Sequence, residues 1–105
     1  MITNVKIINK TAVTKGVDKE VYRREELAKT ADSLLQFSGV EASFVIGKIE
    51  HNTVGISARS MGNINVGQIL GMFGGGGDTH EAAAKIEGKT LKKVEQELLN
   101  VIKLL

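Results

Sequence analysis

The chain has 105 residues, 42% of them hydrophobic and 25% charged, with a formal net charge of +2 and a sequence pI of about 9.0. That describes one domain with a single modest core, whose mild basicity suits an anionic ligand but lacks the stronger bias of a duplex-DNA binder. The absence of cysteine excludes a disulfide framework, a thiolate zinc site and a thiol nucleophile, and no apolar run approaches the ~18 residues of a membrane span.

No signal-peptide pattern is present, so the sequence reads as cytoplasmic. The aromatics are one tyrosine, Tyr22, and three phenylalanines, Phe37, Phe44 and Phe73, too few for a surface that stacks many bases. From Asn4 to Val13 the chain is rich in β-branched residues and reads as one strand, or as two joined near Asn9-Lys10. Gly16 closes it, and Asp18 is the expected N-cap of a helix running to Phe37. Leu27, Ala31, Leu34 and Leu35 form its apolar stripe, extended by Val21 and Ala28. Arg23, Arg24, Glu25, Glu26 and Lys29 lie mostly off that stripe and read as a solvated face, because acids and bases alternate. Ser38-Gly39 marks the stop.

The next segment, EASFVIGKIE (Glu41–Glu50), has the run Phe44-Val45-Ile46 at its centre, apolar on both faces, as in an internal strand of a covered sheet. Glu50 to Thr53 makes a turn. TVGISARS then alternates Val54, Ile56 and Ala58 against Gly55, Ser57 and Arg59, as a hairpin partner would. Asn65 to Phe73 is helical by spacing, with Asn65 as cap, although Gly67 and Gly71 weaken it by roughly 1 kcal/mol each. Ala82 to Ile86 is a short strand. Gly88 and Thr90 open a last helix with the stripe Leu91, Val94, Leu98, Val101 and Leu105. The expected fold is a single α/β (α+β) domain: a mixed sheet of about four or five strands with helices packed on it.

One stretch stands apart: FGGGGDTHEAAA, Phe73 to Ala84. A run of bare residues, Gly74, Gly75, Gly76 and Gly77, either flexes freely or admits something close to the backbone. Consecutive amides without side chains form a concave nest for an anionic oxygen. The run has neither the lysine of a Walker loop nor the glycine spacing of a dinucleotide-binding turn. Arg59, at the end of a strand beside Ser57 and Ser60, is the guanidinium that would pair with such a nest, since its planar fork matches a phosphate.

Three segments, ADSLLQFSGVEASFVIGKIE, VGISARSMGNINVGQIL and FGGGGDTHEAAAKI, together resemble the DHH-associated C-terminal domain of DHH-family phosphoesterases, most of all that of bacterial cyclic di-AMP phosphodiesterases. Related domains occur in oligoribonucleases, single-strand exonucleases and alanyl-tRNA synthetases. The resemblance implies a substrate-binding domain over residues 1–105 that serves an N-terminal DHH catalytic domain in cis. That domain would bind two Mn2+ ions and hydrolyse a cyclic dinucleotide or very short oligonucleotide. Any membrane attachment would lie in segments N-terminal to this chain. The implied phosphate-binding residues are Arg59 and Ser60 of the R-S motif, Gly74 to Gly77, and Asp78 or His80.

The family histidine directly follows the glycines, a place that Asp78 holds here, with His80 two residues later. Our expectation is that His80 turns into the pocket while Asp78 caps the following turn. The chain by itself is not expected to catalyse, because it has no Asp-His-His, His-x-Glu or His-Glu-x-x-His pattern. His51 reads as a solvated turn residue and Asp32 as a surface or packing residue. Two other readings stay open from sequence alone: a stand-alone RNA-binding module, and a structural or homodimerising domain.

Overall fold

A computed structural model describes residues 4–105 of the chain. Its order is β1 (Lys6–Ile8), β2 (Thr11–Lys15), α1 (Arg24–Leu34), β3 (Ala42–Glu50), β4 (Thr53–Ser60), α2 (Val66–Gly71), β5 (Gly76–Gly77), β6 (Glu81–Glu87) and α3 (Leu91–Ile102). The strands form one mixed sheet in the order β1-β2-β3-β4-β6-β5. Among the described strands only the β2–β3 pairing is parallel, with α1 as its crossover.

The sheet has six strands, above the four or five expected, for two local reasons. Asn9 and Lys10 both adopt left-handed backbone, φ 50° and 61°, so a two-residue turn joins β1 to β2 as a hairpin with Ile8 opposite Thr11. Half of the glycine run then adds the short edge strand β5.

β3 sits between β2 and β4, and Phe44, Val45 and Ile46 are wholly buried. Side chains alternate across the sheet, so Phe44 and Ile46, with Val54, Ile56 and Ala58 of β4, meet α2 and α3 on one face. Val45 and Ala12 meet Leu27, Ala31 and Leu34 of α1 on the other. The expected caps Asn65 and Thr90 are both in place, accepting from the amides of Gln68 and Lys93 at 3.1 Å each. Glu95 of α3, nearly buried, receives Lys15 at 3.1 Å and Lys6 at 3.4 Å, which ties α3 to the β1–β2 hairpin.

Helix α1 is shorter than the sequence suggests. It begins at Arg24, not after Asp18, and ends at Leu34. The cause is Tyr22. Its amide donates to the Lys48 carbonyl at 2.7 Å, and the Gly16 amide to that of Ile46 at 2.8 Å. Its hydroxyl accepts from the Val17 amide at 2.8 Å and donates to Glu20 Oε2 at 2.9 Å. The segment between Gly16 and Tyr22 is thereby bound along β3 and loses the helix. Val21, read as part of the apolar stripe, is exposed. Glu26 Oε1 accepts from the Arg23 amide at 2.9 Å and closes the helix start. Among the described residues, no helix is long and apolar enough to cross a membrane.

Candidate functional site

Helix α1 packs on β3 and β4, with Ala12 of β2 also beneath it, but leaves β6 uncovered. The uncovered strip of sheet forms a groove with two neighbouring lobes. One, of about 420 Å³, is lined by Arg24, Glu25, Ala28, Ser57, Arg59, Gly76, Gly77, Glu81, Ala82 and Ala83. The other, of about 350 Å³, has walls from Leu27, Ile49, Gly74, Gly75 and Lys85, and shares Arg24, Ser57 and Ala83 with the first. Small residues make the floor because β4 and β6 present Ser57 and Ala83 opposite each other there.

Arg59 reaches this groove because β4 alternation turns it away from the α2–α3 core. Its guanidinium is fixed on several sides. Nε donates to Asp32 Oδ1 at 2.8 Å and Nη1 to the Ala58 carbonyl at 2.9 Å, while Nη2 lies 3.9 Å from Glu81 Oε1. Asp32 is a surface residue, as the sequence suggests, but its pairing with Arg59 spans two separate elements and left no local signal.

The glycines do not present a row of free amides. Gly74, at φ +82°, donates to the Gly71 carbonyl at 3.2 Å, and Gly75 to that of Leu70 at 2.9 Å, so both close the C-terminal end of α2. Gly76 and Gly77 pair with Ala83 and Ala82 and line the lobe that holds Arg59. The nest expected from sequence is thus reduced to the β5 half of the run.

Asp78 caps the following turn as expected. Its Oδ1 accepts from the amides of His80 at 2.8 Å and Glu81 at 2.9 Å. These bonds, the Glu81 amide foremost, hold its carboxyl below the usual aspartate range. Because the folded-state value is depressed, the stabilisation is present above the ordinary aspartate value and lost as pH falls through the depressed one. In an NMR acid titration, the His80 and Glu81 amide resonances should therefore move with a midpoint below that of an ordinary aspartate. The Asp78→Asn variant, which keeps the acceptor oxygen, should lose that titration and keep the turn.

His80 is exposed and lines neither lobe. Its imidazole stands beside Gly62, where an added Cβ would lie 3.3 Å from Nε2. Ser60 also turns from the groove: it is buried, its Oγ accepts from the Gly62 amide at 3.0 Å, and its own amide donates to the His80 carbonyl at 2.9 Å. Ser60, Asp78 and His80 thus organise the end of the β4–β6 ladder, whereas Arg59, Gly76 and Gly77 meet in the groove. Sequence reasoning missed Arg24 and Lys85 as groove residues; Arg24 was hidden among alternating charges. His51 is exposed at the β3–β4 turn. Among the described residues, no group of three His, Asp or Glu side chains is placed to hold a metal ion.

The sequence matches the DHHA1 domain over residues 4–105. The chain belongs to the DHHA1 family. It is 48% identical over 91 residues to the cyclic-di-AMP phosphodiesterase GdpP of Geobacillus thermodenitrificans, a match covering 87% of this chain and 14% of that protein. It is 38% identical over 91 residues to the cyclic-di-AMP phosphodiesterase PdeA of Listeria monocytogenes, with the same two coverages of 87% and 14%. The chain thus spans about 14% of the length of these relatives. A similar fold appears in the C-Ala domain of Aquifex aeolicus alanyl-tRNA synthetase, with a TM-score of 0.75 at 17% identity over 96% of this chain and 99% of that one.

Proposed function

We propose that this DHHA1 domain holds the phosphate of a cyclic dinucleotide or very short oligonucleotide for hydrolysis by a DHH catalytic domain N-terminal to it on the same polypeptide. In this reading the metal chemistry, with Mn2+ as the expected ion, is the work of that catalytic domain. What this chain contributes is binding and orientation.

The observation that carries the reading is the meeting of Arg59 with Gly76 and Gly77 in one open lobe. Arg59 Nε and Nη1 are committed to Asp32 and the Ala58 carbonyl. These bonds fix the plane of the guanidinium, so little side-chain freedom remains to be lost on binding, and a ligand oxygen would approach Nη2, whose neighbour is the exposed Glu81 carboxylate at 3.9 Å. The bare backbone of β5 opposite lets the phosphate approach closely. Two carboxylates, Glu25 and Glu81, share the lobe with two guanidiniums, Arg24 and Arg59. That balance favours the single charge of a phosphodiester over the double charge of a terminal phosphate.

Calorimetry or NMR titration of this chain with cyclic di-AMP, its linear dinucleotide and AMP tests the reading. We expect binding of the dinucleotides, weakened about tenfold or more in Arg59→Ala, the loss of a charge-assisted contact. Silence from all three ligands with the domain folded would overturn it. So would affinity that keeps rising with RNA length and falls steeply with salt, the behaviour of an RNA-binding module.

A further inference from the structure

We infer that Arg24, the first residue of α1, is a second phosphate-binding residue and makes the groove selective for ligands with two phosphates; this rests on the reading above. Four observations carry it. Among the described residues, Arg24 is the only cationic one that lines both lobes. It is exposed and forms no ion pair among the described residues, so its donors are uncommitted where those of Arg59 are largely spent. Its place is fixed by the helix start, because the segment before it is bound along β3 through Tyr22. Lys85 stands on the far lobe, away from Arg59.

The lobes adjoin at Ser57 and Ala83, whose side chains are small. One phosphate seats against Arg59 and the β5 glycines. A second phosphate of the same ligand, lying in the neighbouring lobe, draws in Arg24 together with Lys85. A ligand with one phosphate fills only the Arg59 lobe and leaves the second set of donors unused.

The test compares a cyclic dinucleotide with AMP on this chain in its native form and as Arg24→Gln, Lys85→Gln and Arg59→Ala. We expect Arg24→Gln to weaken the dinucleotide about tenfold or more while changing AMP within about threefold. Lys85→Gln should act in the same direction but less, and Arg59→Ala should weaken both ligands. An unchanged melting temperature in Arg24→Gln is expected, since Arg24 holds no ion pair. Equal weakening of both ligands by Arg24→Gln, or no effect on either, would overturn the assignment while Arg59→Ala still reports on the groove. If native protein binds neither ligand, the broader reading fails as well.

Discussion

Alanine at Gly75 or Gly77 should destabilise the domain by about 2–3 kcal/mol, while alanine at Gly76 should leave its stability nearly unchanged. The difference lies in what each new Cβ would meet. At Gly75 it would fall 2.2 Å from the Ala83 carbonyl oxygen and 2.6 Å from Ala84 Cα. At Gly77 it would fall 2.2 Å from the Glu81 oxygen and 2.6 Å from Ala82 Cα, on a residue whose φ of +153° is already costly for alanine. These obstacles are backbone atoms of β6, held in register on β4 by the pairs Ala83–Ser57 and Ala84–Ile56, so they cannot swing aside as a side chain would. Gly76 has nothing within 4 Å of its Cβ position and no left-handed backbone.

In a chain of this size, 2–3 kcal/mol lowers the melting temperature by roughly 10 °C or more. Thermal melts of the three variants decide the matter. Similar melting temperatures for all three would show that the run is a slack loop, not an edge strand seated on β6. A stable Gly76→Ala would also allow ligand titration with one methyl added to the lining of the Arg59 lobe.

The sequence exposed those parts of the fold that depend on near neighbours. Asn65 and Thr90 were legible as caps because a short polar acceptor stands three residues before the amide it receives. The double-sided burial of Phe44, Val45 and Ile46 follows from an uninterrupted apolar run. The start of α1 was not legible, because a long-range hydrogen bond from Tyr22 to Lys48 of β3 outweighs local helical preference. Likewise the glycine run gives no local sign that its first two amides close α2 and its last two join a strand. At the candidate site, Arg59 and the glycines were visible as residue types. Their geometry was not: Asp32 and Glu81 approach the guanidinium from separate elements, and the groove exists only where α1 stops covering the sheet. Ser60 and His80 were implied by the family resemblance, yet strand alternation and the Asp78 turn direct them elsewhere.

The two glycines of α2 should respond to alanine with opposite signs. Glycine inside a helix gives up roughly 1 kcal/mol relative to alanine, so on helix preference alone both replacements would stabilise. Gly71 should follow that rule: nothing lies within 4 Å of its Cβ position, and as the last residue of α2 it should gain about 0.5 kcal/mol. Gly67 should not. Its Cβ would lie 2.7 Å from the Asp78 carbonyl oxygen, 2.9 Å from that of Gly77 and 3.0 Å from the Gly77 carbonyl carbon. Its amide donates to the Asp78 carbonyl at 3.0 Å, and that of Val66 to Thr79 at 3.3 Å. The close approach is therefore what bonds the start of α2 to the turn after β5. A methyl group there must separate α2 from the turn and weaken both bonds, a loss of about 2 kcal/mol or more that outweighs the helical gain. Because that turn carries Gly77 into the Arg59 lobe, Gly67→Ala should also weaken ligand binding, with no contact between residue 67 and the ligand. Chemical denaturation of the two variants separates the signs. A stabilised Gly67→Ala would mean that α2 and the turn are not in contact as the packing requires, and would remove the support that places β5 beside Arg59.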